Sequence, residues 1–206
     1  MMFAHLPASY VTTNMARPLW DRALSDRERR MVYLTGIAAG ILPDLDGVFL
    51  PIREHRASPL HTPIFWLAIC AAIMVMALIF RRRRAVLVSL AIVVLVGTWL
   101  HLLLDAIFVG VRLFVPLSDD YFRFRGPISW RYDNWVINYI LHPIFLTEVY
   151  LFVAAALVFQ TKRRNAGNLT LSRVWKSNRR LFAVVGLITL AYAINWFVVY
   201  PITSAA

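Results

Sequence analysis

The sequence predicts an all-α fold: an integral membrane helical bundle of four transmembrane helices, plus a re-entrant or short N-terminal helix. Three observations predict it. Hydrophobic residues make up 60% of the chain, above the roughly 45–50% of soluble domains, and mean hydropathy is +0.62. Four apolar runs approach or exceed the ~20 residues that a bilayer crossing needs. Basic residues gather between those runs, and the net charge of +11 sits largely there. That placement is the pattern of cytoplasmic loops in a membrane protein. Nucleic acid, the other partner a basic chain suggests, is therefore not expected.

The elements follow in order. The first residues, "MMFAHLPASYVTTNMARPLW", lack the basic start and long apolar core of a signal peptide. Residues 17–30 mix both signs of charge and read as a surface helix or loop. The stretch 31–51 is apolar without interruption only from Met31 to Leu42, half a span, before Pro43 and two aspartates end it. A re-entrant or interfacial helix suits it, with a full crossing anchored by "RERR" as the alternative. The spans are residues 63–80, which at 18 residues is the shortest, then 85–111, 135–160 and 181–202. All must be helical, because lipid offers the backbone no other hydrogen-bond partner. The chain reads as one membrane-embedded domain, 1–206, in which 135–202 supplies two of the helices. Cys70 is the single cysteine, which excludes a disulfide framework and a Cys-based zinc site.

The basic loops orient the spans. Positive charge at 81–84 and 161–180 puts both loops in the cytoplasm. Residues 44–62, the 105–134 loop and the C-terminus then share the extracytoplasmic face. His101 stands seventeen residues past Arg84, roughly 25 Å up a hydrocarbon core about 30 Å thick. Asp105 is one turn higher. His142, twenty residues before Lys162, arrives near the same boundary, and His55 and His61 precede the 63–80 span on that side. With Asp44 and Asp46, the topology brings four His and three Asp to one face.

Imidazole and carboxylate are the ligand set for Zn²⁺, or for Mn²⁺ and similar ions. His101 and Asp105, at i and i+4, share one helical face and can chelate one ion. "PDLD" presents carboxylates on a bend. The six-residue spacing of His55 and His61 is wrong for one helical face, but Pro59 brings a turn between them. The plain alternatives are a hydrogen-bonded pair for His101 and Asp105, a helix stop for "PDLD" and an interfacial residue for His142. Glu148, deep in the 135–160 span, is matched in depth by Asn195, and an interhelical hydrogen bond between them is the economical reading.

These residues resemble the family of membrane-bound, predicted metal-dependent hydrolases, some of whose members are under LexA control. The resemblance covers roughly residues 2–122. It rests on Ala4-His5, on Pro43 to Asp46, on His55-Arg56 with His61-Thr62, on His101 with Asp105, and on the run through Pro116 and Ser118. The order of ligands is distantly similar to that of zinc-dependent phospholipases C and single-strand nucleases. By that resemblance His5, Asp44, His55, His61, His101 and Asp105 are the metal ligands; His5 joins them on condition that residues 31–50 do not cross. Gly47 stands where the family commonly has His, and the His55–His61 spacing is one residue longer than usual.

The implied activity is hydrolysis of a phosphoester in a lipid or lipid-linked substrate. Zinc is the expected cofactor, with manganese the other candidate, at a site near the extracytoplasmic face of the inner membrane. Whichever of Asp44 and Asp46 is not a ligand acts as general base or orients a ligand histidine. Arg56, Arg112, Arg123 and Arg125 are candidate phosphate clamps, Arg56 foremost. The alternative is a non-enzymatic small transporter or metal-binding membrane scaffold, with Glu148 on a pathway.

Overall fold

A computed structural model of the chain describes residues 4–20, 24–108, 110–124, 133–165, 175–176 and 178–194. Helices dominate, and a single isolated antiparallel bridge, Val111 to Phe122, occurs among the described residues. The chain divides into two compact units, Met1–Gly126 and Pro127–Ala206.

The first unit contains α1 (His5–Trp20), α2 (Asp26–Ala38), the short α3 (Ile52–Ala57), α4 (Pro63–Ile79) and α5 (Arg84–Phe108), with 3₁₀ turns at Leu42–Val48, Pro59–His61 and Arg81–Arg83. Helix α1 extends well beyond the surface helix or loop expected at 17–30. Its buried face carries Ser9 and Thr13 rather than an apolar stripe, so periodicity of hydrophobic residues does not reveal it. Those small polar residues lie against Gly40 and Gly36: a Cβ on Gly36 would stand 2.7 Å from Thr13 Oγ1. The two helices thereby approach at backbone distance.

Helix α2 begins at Ser25, whose backbone N–H and hydroxyl both donate to the Glu28 carboxylate, at 3.0 and 2.7 Å. The Ser25 N–H, which has no intrahelical partner, is satisfied in this way. Helix α2 then runs parallel to α5. Glu28 pairs with Arg83 at 3.8 Å, Gly36 meets Val93, and the Gly40 carbonyl reaches His101. Pro43 opens the 3₁₀ turn, and the chain bends by 59° between α2 and Leu42–Val48. Residues 26–48 therefore follow α5 from Arg83 to His101, as a bent pair that is either a broken span or a re-entrant loop. Helix α1 returns alongside: Trp20 packs with Val86 at one end of α5, and His5 stacks on His101 at the other. His5 thus meets the other candidate ligand residues because α1, like α2, lies along α5.

Helices α4 and α5 form the remaining pair, with Trp66, Cys70, Ala91, Val94, Leu102 and Ala106 in one core. Helix α5 ends at Phe108, short of the expected 111. Gly110 has φ +88° and its N–H donates to the Asp105 carbonyl at 3.0 Å, a left-handed stop that glycine adopts without steric cost.

The second unit contains α6 (Trp135–Leu141), α7 (Phe145–Asn165) and α8 (Arg179–Ile194). The expected 135–160 helix is broken, since Pro143 has no N–H to continue α6. The Tyr192 hydroxyl donates to the Ile140 carbonyl at 2.6 Å, and the Tyr150 and Thr189 hydroxyls are hydrogen-bonded, which ties α8 to its neighbours.

Four full spans are thus not what the described residues contain. Two helices, Arg81–Ile107 and Phe145–Arg163, are long and apolar enough to cross, and the bent pair 26–48 would be a third if it forms one span. Helix α4 is apolar but has 17 residues, about 26 Å at 1.5 Å per residue. The last expected span, 181–202, is described only to Ile194.

Candidate metal centre

Helix α5 supplies His101 and Asp105 one turn apart, both buried. His101 Nδ1 lies 2.8 Å from the Gly40 carbonyl oxygen. A carbonyl only accepts, so Nδ1 carries the hydrogen and Nε2 of the neutral ring presents its lone pair to the cluster. This contact requires a glycine at position 40. A Cβ there would stand 2.2 Å from Ser9 Oγ and 2.6 Å from the His5 carbonyl oxygen.

The 3₁₀ turn Leu42–Val48 brings residues three apart onto one face, so Asp44 and Gly47 turn the same way. A Cβ on Gly47 would meet the His55 ring at 3.2 Å; glycine lets the turn lie against the imidazole. Asp44 Oδ1 is where the site converges. His55 Nε2 is 3.3 Å from it, and His61 Nε2 and His101 Nε2 are each 3.4 Å away. On the far side of His55, Nδ1 contacts Asp46 Oδ1 at 2.6 Å, which aims Nε2 at Asp44. His61 sits on the turn that Pro59 makes, held by the Ser58 hydroxyl accepting from Leu60 N and by the Trp66 indole donating to the Leu60 carbonyl at 2.7 Å. Asp105 closes the group: Oδ1 lies 3.2 Å from His5 Nε2, and Oδ2 lies 3.6 Å from His101 Nε2 and 3.9 Å from His61 Nε2.

Two donor sets result. Asp44, His61, His101 and Asp105 form one, and Asp46, His55 and His61 the other; within each, the ligand atoms lie within 4.8 Å of one another. The buried Nε2 atoms of His61 and His101 have no hydrogen-bond partner among the described residues. Three imidazole nitrogens cannot all hydrogen-bond well to one carboxylate oxygen, and 3.3–3.4 Å exceeds the usual 2.7–3.2 Å range. It equals the donor–donor edge of about 3.3 Å that follows from tetrahedral ligation at about 2.0–2.1 Å. With neutral histidines the cluster also gathers three negative carboxylates in a largely buried place, a charge that a divalent cation offsets. The residues present fit a metal ion.

The structure brings together His5, Asp44, His55, His61, His101 and Asp105, every ligand residue that the resemblance names, with Asp46 against His55. Arg56 follows His55 on α3, half-buried. Arg112 is engaged otherwise: it donates to the Ala57 carbonyl at 3.0 Å and pairs with Asp119, which straps the 111–124 loop to α3. Arg123 is exposed, and Arg125 lies outside the described residues. His142 belongs to the second unit, where its Nδ1 accepts from Ile144 N at 3.2 Å. Buried Glu148 accepts from the Tyr139 hydroxyl, while Asn195 lies outside the described residues. The functional group with no sequence signal is the Gly40 carbonyl, sixty-one residues from the imidazole it orients.

Residues 2–202 match the family model described as YdjM inner membrane protein. No curated protein and no solved structure matches the chain.

Proposed function

We propose that this chain, which belongs to the YdjM inner membrane protein family, is a metal-dependent hydrolase acting on a phosphoester of a lipid or lipid-linked substrate. The observation that carries the reading is the convergence of three imidazole Nε2 atoms on Asp44 Oδ1 at 3.3–3.4 Å. His55, His61, His101, Asp44 and Asp105 would hold metal, zinc or manganese, with His5 on the outer oxygen of Asp105. A bound divalent cation brings the pKa of water towards ~7 and polarises a phosphoryl oxygen.

The remaining steps belong to the protein. Asp46 orients His55 through Nδ1 and makes its Nε2 a better donor. The Gly40 carbonyl does the same for His101. Asp44 is 40% exposed at its side chain, so the phosphoester approaches on that edge. Arg56, with a planar fork of donors, binds its phosphate oxygens. The site faces the extracytoplasmic side, and the loops 81–84 and 161–180 face the cytoplasm.

Elemental mass spectrometry on detergent-purified protein tests this, with vesicle phospholipid hydrolysis measured on the same samples. Wild type is expected to carry stoichiometric zinc or manganese and to release a phosphorylated product. His101→Ala with Asp105→Ala is expected to lose both. A folded wild type that takes up neither ion after dialysis against them overturns the reading.

A further inference from the structure

The face of the 3₁₀ turn opposite the cluster is exposed among the described residues. Asp44 and Asp46, the two charged residues between Ile41 and Pro51, both bond into the cluster. That leaves Leu45, Val48 and Phe49 facing outward, with Val48 76% and Phe49 86% exposed. Beyond α3, the strapped 111–124 loop raises Leu117, which is 92% exposed. The two segments are neighbours: Arg112 fastens the loop to Ala57, and Leu42 and Leu113 pack against the same core as Trp66 and Leu102. Large apolar side chains this exposed, next to a site whose open edge is Asp44, form a lip around its entrance.

Depth identifies what covers the lip. Asp105 is twenty-one residues beyond Arg84 on one continuous helix, about 31 Å at 1.5 Å per residue. That is one hydrocarbon thickness, about 30 Å, from the basic end. The lip stands at this level. At the start of α4, Ile64 and Leu67 are exposed as well.

We propose that Leu45, Val48, Phe49 and Leu117 seat in the hydrocarbon of the leaflet on the Asp105 side, so that the site takes its substrate sideways from that leaflet. The inference rests on the hydrolase reading for its substrate class: a phosphoester on a long apolar tail, whether a glycerophospholipid or a polyprenyl phosphate. The tail stays among the lip residues while the headgroup reaches Asp44.

The test uses the full chain in nanodiscs of phosphatidylethanolamine and phosphatidylglycerol. Phe49→Cys, Leu117→Cys and, at an exposed position of α3, Glu54→Cys are each labelled with an environment-sensitive fluorophore; native Cys70 is buried. Labels at 49 and 117 are expected to be quenched by doxyl lipids and shielded from iodide, and the label at 54 the reverse. Iodide access at 49 and 117 equal to that at 54 overturns the proposal, and this readout needs no activity. For Val48→Ser with Phe49→Ser at unchanged metal content, the ratio of vesicle-lipid to bis-p-nitrophenyl phosphate hydrolysis is expected to fall about tenfold. An unchanged ratio overturns lateral entry. A glycerophospholipid and a polyprenyl phosphate, offered separately, identify which source the site accepts. Hydrolysis of none of these substrates removes the hydrolase reading, while the label positions still decide the seat in the leaflet.

Discussion

Asp46 and Gly40 act on the candidate centre without standing in its innermost ring. Each holds the Nδ1 of one histidine, at 2.6 and 2.8 Å, and so fixes which nitrogen faces inward. Asp46→Asn keeps the shape and removes the charge. It is expected to weaken metal binding about 10–100-fold, read by chelator competition. Gly40→Ala is harsher, because the added methyl meets the His5 backbone oxygen at 2.6 Å. It is expected to cost about 1–3 kcal/mol, read as a lower thermal midpoint in detergent, and to reduce metal content. An imidazole must be deprotonated to bind an ion, so metal binding releases protons. Occupancy is therefore expected to fall as the pH is lowered, which metal analysis after equilibration at each pH reads directly.

At the scale of elements, α1 and α2 decide where the ligands meet. The apolar run from Met31 to Leu42 covers half a span, so length by itself permits a re-entrant loop or a crossing. Glu28 lies beside Arg83 at one end of α5 and Asp44 beside His101 at the other, the placement that a crossing gives. Arg27→Cys and Glu54→Cys are accordingly expected to react with a membrane-impermeant maleimide from opposite sides of sealed vesicles. Labelling of both from one side would mean that 26–48 does not cross. Helix α1 escapes sequence reading for a related reason. Its buried face is matched to glycines, Thr13 to Gly36 and Ser9 to Gly40, and close backbone packing leaves no hydrophobic period to read.

The whole molecule comprises two units, each with buried polar residues. The first carries the histidine–carboxylate cluster; in the second, Glu148 is buried and accepts from the Tyr139 hydroxyl. If Glu148 is structural, Glu148→Gln retains an acceptor and is expected to be mild. Glu148→Leu removes the acceptor and is expected to lower stability by about 1–3 kcal/mol, with metal content unchanged in both. A transport pathway through Glu148 predicts instead that the glutamine variant abolishes proton- or ion-driven uptake into proteoliposomes while leaving the thermal midpoint in place.

The sequence by itself determined the helical membrane class, because apolar runs and arginine placement are local properties that lipid and charge read directly. It also named the cluster residues, through "PDLD", "HLLLD" and the two histidines around Pro59. Tertiary structure decided the rest. Which nitrogen of each ring faces inward depends on an acceptor nine residues away for His55 and sixty-one for His101. That His5 reaches Asp105 depends on α1 lying back along α5. The breaks at Pro143 and Gly110, which shorten two expected spans, are legible as residue types but not as positions of failure. Local propensity is summed over neighbours in the chain, whereas the cluster is made by backbones that approach only where Gly36, Gly40 and Gly97 leave room.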